Sequence, residues 1–223
     1  MSLAHRFWRL PERLGREVFH FLFHPSLHLN TERARSMLPP HMALLTSLKP
    51  ASKVSAAWSQ QLANPSEVEL DFSQPLHRMA LLPPEGLKRL ALWAGAASVA
   101  GDLRRVVLRE EREDLERHLP QDVWPWIHQQ EVPAPWPPSP KVSVSTLIEQ
   151  VHTRGWGCLE ILCDQLPRAL GERMRLKLPL STPTEPPAPQ QVIDLLTRAY
   201  PGAVQSWDPS WEPQWQQALA RGA

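Results

Sequence analysis

Glycine, cysteine, surplus charge and long apolar runs are all scarce in this sequence, and each scarcity removes a class of function. Nine glycines in 223 residues leave few sites where backbone can wrap an anion, and neither a Gly-rich phosphate loop nor a Gly-x-Ser-x-Gly elbow is present. The two cysteines, Cys158 and Cys163, fall in the helical-looking segment GCLEILCDQL. A five-residue step turns them about 140° apart around a helix, so they do not pair, and they read as small buried apolar residues. With 24 basic against 23 acidic side chains the net charge is +1, which offers no overall field for nucleic acid or an acidic membrane. Local basic spots exist at Arg104-Arg105 and at Arg173, Arg175 and Lys177, but the aromatic residues are not interleaved with them as in a nucleic-acid-binding sheet. The longest small and apolar run, Leu90 to Gly101, falls short of the roughly 18 to 20 residues of a membrane span. The first residues, MSLAHRFWRLPERLGREVFHFLF, scatter arginine and glutamate among apolar positions and lack a small-residue cleavage site. The expectation is a soluble cytoplasmic protein with no nucleic-acid partner and no direct membrane insertion.

Catalytic and metal-binding patterns fail in the same way. His20, His24 and His28 recur every fourth residue in HFLFHPSLH, a spacing that stacks metal ligands on a helix. Pro25 interrupts that helix between the last two, and Glu17 is the one acidic neighbour. His118, His128 and His152 stand apart from one another, and His-Glu-x-x-His is absent. Cys158 and His152 as nucleophile and base sit six residues apart on one helical segment and face away from each other. The sequence therefore points to no enzyme, no catalytic residue, no metal and no cofactor.

What the chain has in quantity is proline, 25 residues, roughly twice the usual 5%. The prolines cluster at Pro133 to Pro140 and Pro179 to Pro189, and both clusters read as extended connectors because proline blocks helix and restricts its predecessor. Helical periodicity fills the intervals. Leu87, Leu90, Leu92 and Trp93 begin a stripe that continues through Ala94, Gly95, Ala96, Ala97 and Ala100, small residues that admit a second helix closely. A further helix is predicted after Gly101, with Asp102 near its start and Leu103, Val106 and Val107 on one face. It continues into Arg109 to Arg117, REEREDLER, whose mixed signs at i, i+3 and i+4 make a self-paired, solvated face. Ser143 to Leu170 reads as helical, interrupted near Gly155-Trp156-Gly157 and before Pro167. Gln190 to Ala199 is a short amphipathic helix stopped by Pro201-Gly202. In the tail, Trp207, Trp211 and Trp215 are spaced by four with Pro209 and Pro213 between them. It is read as an irregular arm whose tryptophans dock back on the body or serve a partner.

Two stretches alternate with period two. In Arg173-Met-Arg-Leu-Lys-Leu-Pro-Leu180 the basic and apolar residues take opposite sides of an extended chain, and Glu67-Val-Glu-Leu-Asp-Phe72 mirrors that pattern with acids. Paired, they predict a two-stranded ribbon with opposed charges and both apolar rows toward the helices; unpaired, one of them is an open edge for a partner strand. The fold class expected is mainly α. It is a single compact helical domain with a short β ribbon, proline-rich connectors and an N-terminal extension over 1–203, followed by a Trp/Pro-containing arm over 204–223.

Three pieces in order along the chain carry a family resemblance: Phe23-His-Pro-Ser-Leu-His28, the Leu90 to Leu108 segment with Gly101-Asp-Leu-Arg-Arg105, and Arg175-Leu-Lys-Leu-Pro-Leu-Ser-Thr-Pro-Thr-Glu-Pro186. Together they resemble the SctK family of type III secretion systems, which includes YscK and PscK. The likeness is strongest over about 87 to 108 and 173 to 198, while the first twenty residues and the tryptophan tail exceed the family pattern. The resemblance implies a helical adaptor of the sorting platform beneath the injectisome, cytoplasmic and peripheral to the inner membrane. Its implied partners are the cytoplasmic domain of the inner-membrane ring protein SctD and the pod protein SctQ, and indirectly the stator SctL and the ATPase SctN. An adaptor of this kind needs a charged surface, with Arg104, Arg105, Arg109, Glu110, Glu111 and Glu113 as candidates, and an aromatic one, with Trp207, Trp211 and Trp215. The alternative is a secretion chaperone that cradles an export substrate; such chaperones are commonly acidic α/β dimers, and this chain shows neither property.

Overall fold

A computed structural model describes residues 10–37, 62–63, 71–129, 136, 143–181 and 187–221. Among them the chain forms α1 (Glu12–Phe23), a 3-10 turn (Pro25–His28), α2 (Thr31–Met37), α3 (Pro75–Leu81), α4 (Pro84–Ser98), α5 (Ala100–Leu103), α6 (Arg109–His118), α7 (Val123–Gln129), α8 (Val144–Gln165), α9 (Arg168–Lys177), α10 (Pro189–Trp207) and α11 (Trp211–Ala220). The mainly α expectation holds, and no strand occurs among the described residues. The helices divide into two compact units: Met1–Pro84, Cys163–Leu180 and Ser210–Ala223 make the first, Glu85–Leu162 and Ser181–Pro209 the second.

In the second unit the small-residue stripe of α4 meets α8 at near-backbone contact. A Cβ placed on Gly95 would lie 1.9 Å from the Val151 carbonyl oxygen, and one on Gly155 would lie 2.0 Å from that of Ala91. Each helix thus omits a side chain where the other's backbone passes. Glycine inside a helix costs about 1 kcal/mol relative to alanine, and the close contact of Leu87, Leu90, Ala94, Val151, Cys158 and Leu159, all buried, offsets it. This corrects the expected interruption at Gly155-Trp156-Gly157, because α8 runs unbroken through it.

The stop at Pro201-Gly202 is corrected too, since α10 continues to Trp207. Proline removes one backbone bond there, and Gly202 beside it leaves room for the Trp93 ring, which a Cβ would meet at 2.1 Å. Trp93 in turn stacks on Trp126 with centroids 4.9 Å apart. Of the first proline cluster, Trp136 is described: it is buried beneath the Arg154 guanidinium, 5.5 Å from the ring centroid.

The first unit overturns the ribbon. Arg173 to Lys177 is the last part of helix α9, not a strand, and Glu67 to Leu70 lie outside the described residues. Helical geometry places Arg173 and Lys177, four apart, on the same inward side. Arg173 is 1% exposed. Its Nε donates to Leu22 O at 3.1 Å in the last turn of α1, and its Nη1 to Ala63 O at 2.8 Å and Ala169 O at 3.0 Å. Lys177 Nζ donates to Ala80 O at 3.0 Å and Leu82 O at 2.8 Å at the end of α3 and lies 4.4 Å from the Phe21 ring centroid. Arg33, from α2, closes the end of α9 through Leu178 O at 3.4 Å and Pro179 O at 2.6 Å. Three buried basic side chains therefore reach carbonyls at helix C-termini, those of Leu22, Ala80, Leu82 and Leu178, which have no intrahelical partner. Alternation of apolar and basic residues looked like period two because these basic side chains are core residues as well.

The tail is likewise more regular than expected. Pro213 falls in the first turn of α11, where a missing N–H costs no helical bond. Trp211 and Trp215, one turn apart, are both fully buried. Their rings meet edge to face at 6.0 Å, and Trp215 packs on Phe72 at 4.9 Å. Arg78, buried, fixes this helix to α3 through Glu212 at 3.1 Å while its Nη1 donates to Phe72 O at 2.7 Å.

Candidate functional site

The charged residues singled out from the sequence lie on α6 and on the segment that joins it to α5. The expected continuous helix from Gly101 through Arg117 is broken: α5 ends at Leu103, and the chain is extended at Leu108, φ −72° and ψ 131°, before α6 begins. Val107, expected on a buried face, is 85% exposed, and Leu108 is 60% exposed.

The arginines of this region are occupied. Arg104 donates through Nε to Ile127 O at 3.0 Å and so ties α5 to α7. Arg105 meets Asp102 at 3.4 Å. On α6, Arg109 pairs with Glu113 at 2.7 Å, Arg112 with Glu116 at 2.9 Å and Arg117 with Asp114 at 3.1 Å, and Arg112 also covers the Trp124 ring at 5.6 Å. Each exposed i, i+4 pair contributes about 0.3 to 0.5 kcal/mol. Glu110 and Glu111, exposed in the first turn of α6, have no cationic partner among the described residues. The charge that this helix leaves uncompensated is therefore negative.

The aromatic candidates are placed differently. Trp207 is half-buried at the end of α10, and Trp211 and Trp215 sit in the core of the first unit. Among the described residues, the exposed Phe and Trp side chains lie on α1. Leu14, Val18, Phe21 and Leu22 of that helix turn inward, whereas Phe19 and Phe23 are exposed with rings 5.3 Å apart, and Leu27 of the 3-10 turn that follows is exposed as well. The sequence carries a signal for this row: a 12-residue helix with two apolar positions in excess of one inward stripe.

Elsewhere the titratable groups are structural. Burial pushes the thiols of Cys158 and Cys163 up to about 12, far from the thiolate a nucleophile needs. Burial lowers His152, and lowers His77 despite its contact with Asp71. Asp71 is held below its ordinary value chiefly by the Ser73 hydroxyl at 2.6 Å as it caps the turn into α3. Glu172, whose burial works against its charge, is still held low by the Ala63 N–H at 2.7 Å and by Arg168. Pro25 turns the chain so that His28 leaves the His20–His24 pair and lies 3.9 Å from Glu17. Among the described residues no group of three or more His, Cys, Asp or Glu could hold a metal ion, and no helix is long and apolar enough to cross a membrane.

No curated protein and no solved structure matches the chain. A family model described as YOP proteins translocation protein K (YscK) matches residues 17–204, which takes in the buried-cation helix α9, the glycine crossing of α4 with α8 and the charged helix α6. The match stops short of α11 and leaves out the start of the chain, the two regions that exceed the family pattern in the sequence. The chain belongs to the YscK family of type III secretion proteins.

Proposed function

We propose that the chain is a non-catalytic connector of the type III secretion sorting platform, joining the cytoplasmic domain of the ring protein SctD to the pod protein SctQ. Through SctQ it reaches SctL and SctN, at the cytoplasmic face of the inner membrane. The observation that supports this reading most is that each compact unit exposes its own distinct surface. The first unit offers the row Phe19, Phe23 and Leu27, and the second offers the charged helix α6, with Arg109, Glu110, Glu111 and Glu113 at its exposed start. Aromatic anchors supply affinity and rim charges supply selectivity and speed of association, so two surfaces of different chemistry suit two different neighbours. No metal or cofactor enters this reading.

Co-purification tests it. Tagged SctD cytoplasmic domain and tagged SctQ should each retain the full chain. Retention of an export substrate in place of either would favour a chaperone, and retention by neither would refute the connector.

A further inference from the structure

Val107 and Leu108 stand out among the exposed apolar side chains because they are adjacent, more exposed than any other large hydrophobic of the described residues, and carried on the segment between α5 and α6, which is extended at Leu108. Neither donates its backbone N–H to another backbone group among the described residues. Single exposed aliphatic residues are ordinary on a protein surface. A protruding pair held in place at both ends is less so. On one side Arg104 fixes the end of α5 through the Ile127 carbonyl; on the other Leu108 O accepts from Arg112 N at 3.0 Å and starts α6. The knob is thus rigidly presented, which limits the conformational entropy lost on docking.

The charge around it selects the occupant. The arginines of α6 are taken up by Glu113, Glu116 and Asp114 within the helix, which leaves Glu110 and Glu111 as the uncompensated charges next to Val107 and Leu108. A partner face with an acidic rim would repel them, and a wholly apolar face would strip water from two carboxylates without replacement. We infer that the elbow led by Val107 and Leu108, with Glu110 and Glu111 beside it, is where the second unit enters an apolar pocket edged by lysine or arginine on a partner protein. This rests on the connector reading and adds the surface and its polarity.

The full chain is titrated against the SctD cytoplasmic domain and, separately, SctQ. The variants are V107S/L108S, E110K/E111K and the control R198A on α10, each checked for unchanged helicity and melting temperature; all the altered side chains are exposed. For one of the two partners, V107S/L108S should weaken binding at least tenfold. E110K/E111K should weaken it about tenfold at low salt and reduce its salt dependence. R198A should change it less than threefold, and the second partner should bind all variants alike. If both double variants bind both partners as the unaltered chain does, the elbow is not the contact, although the connector reading survives. If the unaltered chain binds neither partner, both fall. Self-association that V107S/L108S abolishes, with partner binding intact, would assign the elbow to a second copy of the chain and overturn the proposal.

Discussion

The two units pack their helices with a different emphasis. In the second unit α4 and α8 approach by deletion: Gly95 and Gly155 remove side chains, and the neighbouring backbone carbonyl takes the space. In the first, Gly171 makes one such approach to the Cys163 carbonyl, and contact is made mainly by addition, with Arg33, Arg173 and Lys177 extended through the interior to the carbonyl ends of neighbouring helices. A glycine crossing tolerates no added atom, whereas a buried cation tolerates no lost hydrogen bond. The first unit should therefore respond to changes of charge and pH that leave the α4–α8 crossing of the second, which answers to changes of volume, untouched.

Gly155→Leu should break the second unit outright, since its side chain has to displace the Ala91 backbone. The expected readout is insoluble or molten protein with weakened near-ultraviolet dichroism, and a soluble, native-like variant would show that the crossing yields. Arg173→Met should cost about 3 kcal/mol, because three carbonyls lose a charged donor in the interior; urea denaturation measures it. Arg173→Lys should recover only part, having no planar fork. Gly95→Ala should cost about 2 kcal/mol in the same assay, by overpacking against Val151.

A pH-dependent effect, spread over several pH units, belongs to Lys177, which burial pushes from 10.5 down to about 7. Between those values the unfolded chain holds a proton that the folded chain has released. Stability therefore gains from this group as pH rises through that window, by up to about 1.4 kcal/mol per pH unit. Below pH 7 both states carry the proton and the contribution is flat. Lys177→Met should remove this component, so that its curve from pH 7 to 10 rises less steeply than that of the unaltered chain; parallel curves would contradict it. Least of all, Arg109→Ala should change stability by less than about 0.5 kcal/mol, as its partner Glu113 is exposed and screened.

The helical stripe of α4 and its small residues were legible in the sequence because packing there follows helical periodicity directly. The charged, self-paired face of Arg109 to Arg117 was legible for the same reason. The strand at Arg173 to Leu180 was misread because pattern reasoning assigns basic residues to solvent, and here Arg173 and Lys177 point inward to partners at Leu22, Ala80 and Leu82, distant in sequence. Similarly, Pro201 and Pro213 looked like helix breakers. Their tolerance depends on context: Gly202 meeting Trp93 in one case, and a first-turn position in the other. Of the candidate site, the acids of α6 could be identified in advance. The exposure of Val107 and Leu108 could not, since it follows from the break after α5.

The connector reading meets its most direct test in the mass of the complex formed when the full chain, the SctD cytoplasmic domain and SctQ are mixed and separated by size with light scattering. The account predicts one species containing all three, because the α1 row and the α6 region are different surfaces. A chain that takes up one partner only by releasing the other would contradict it.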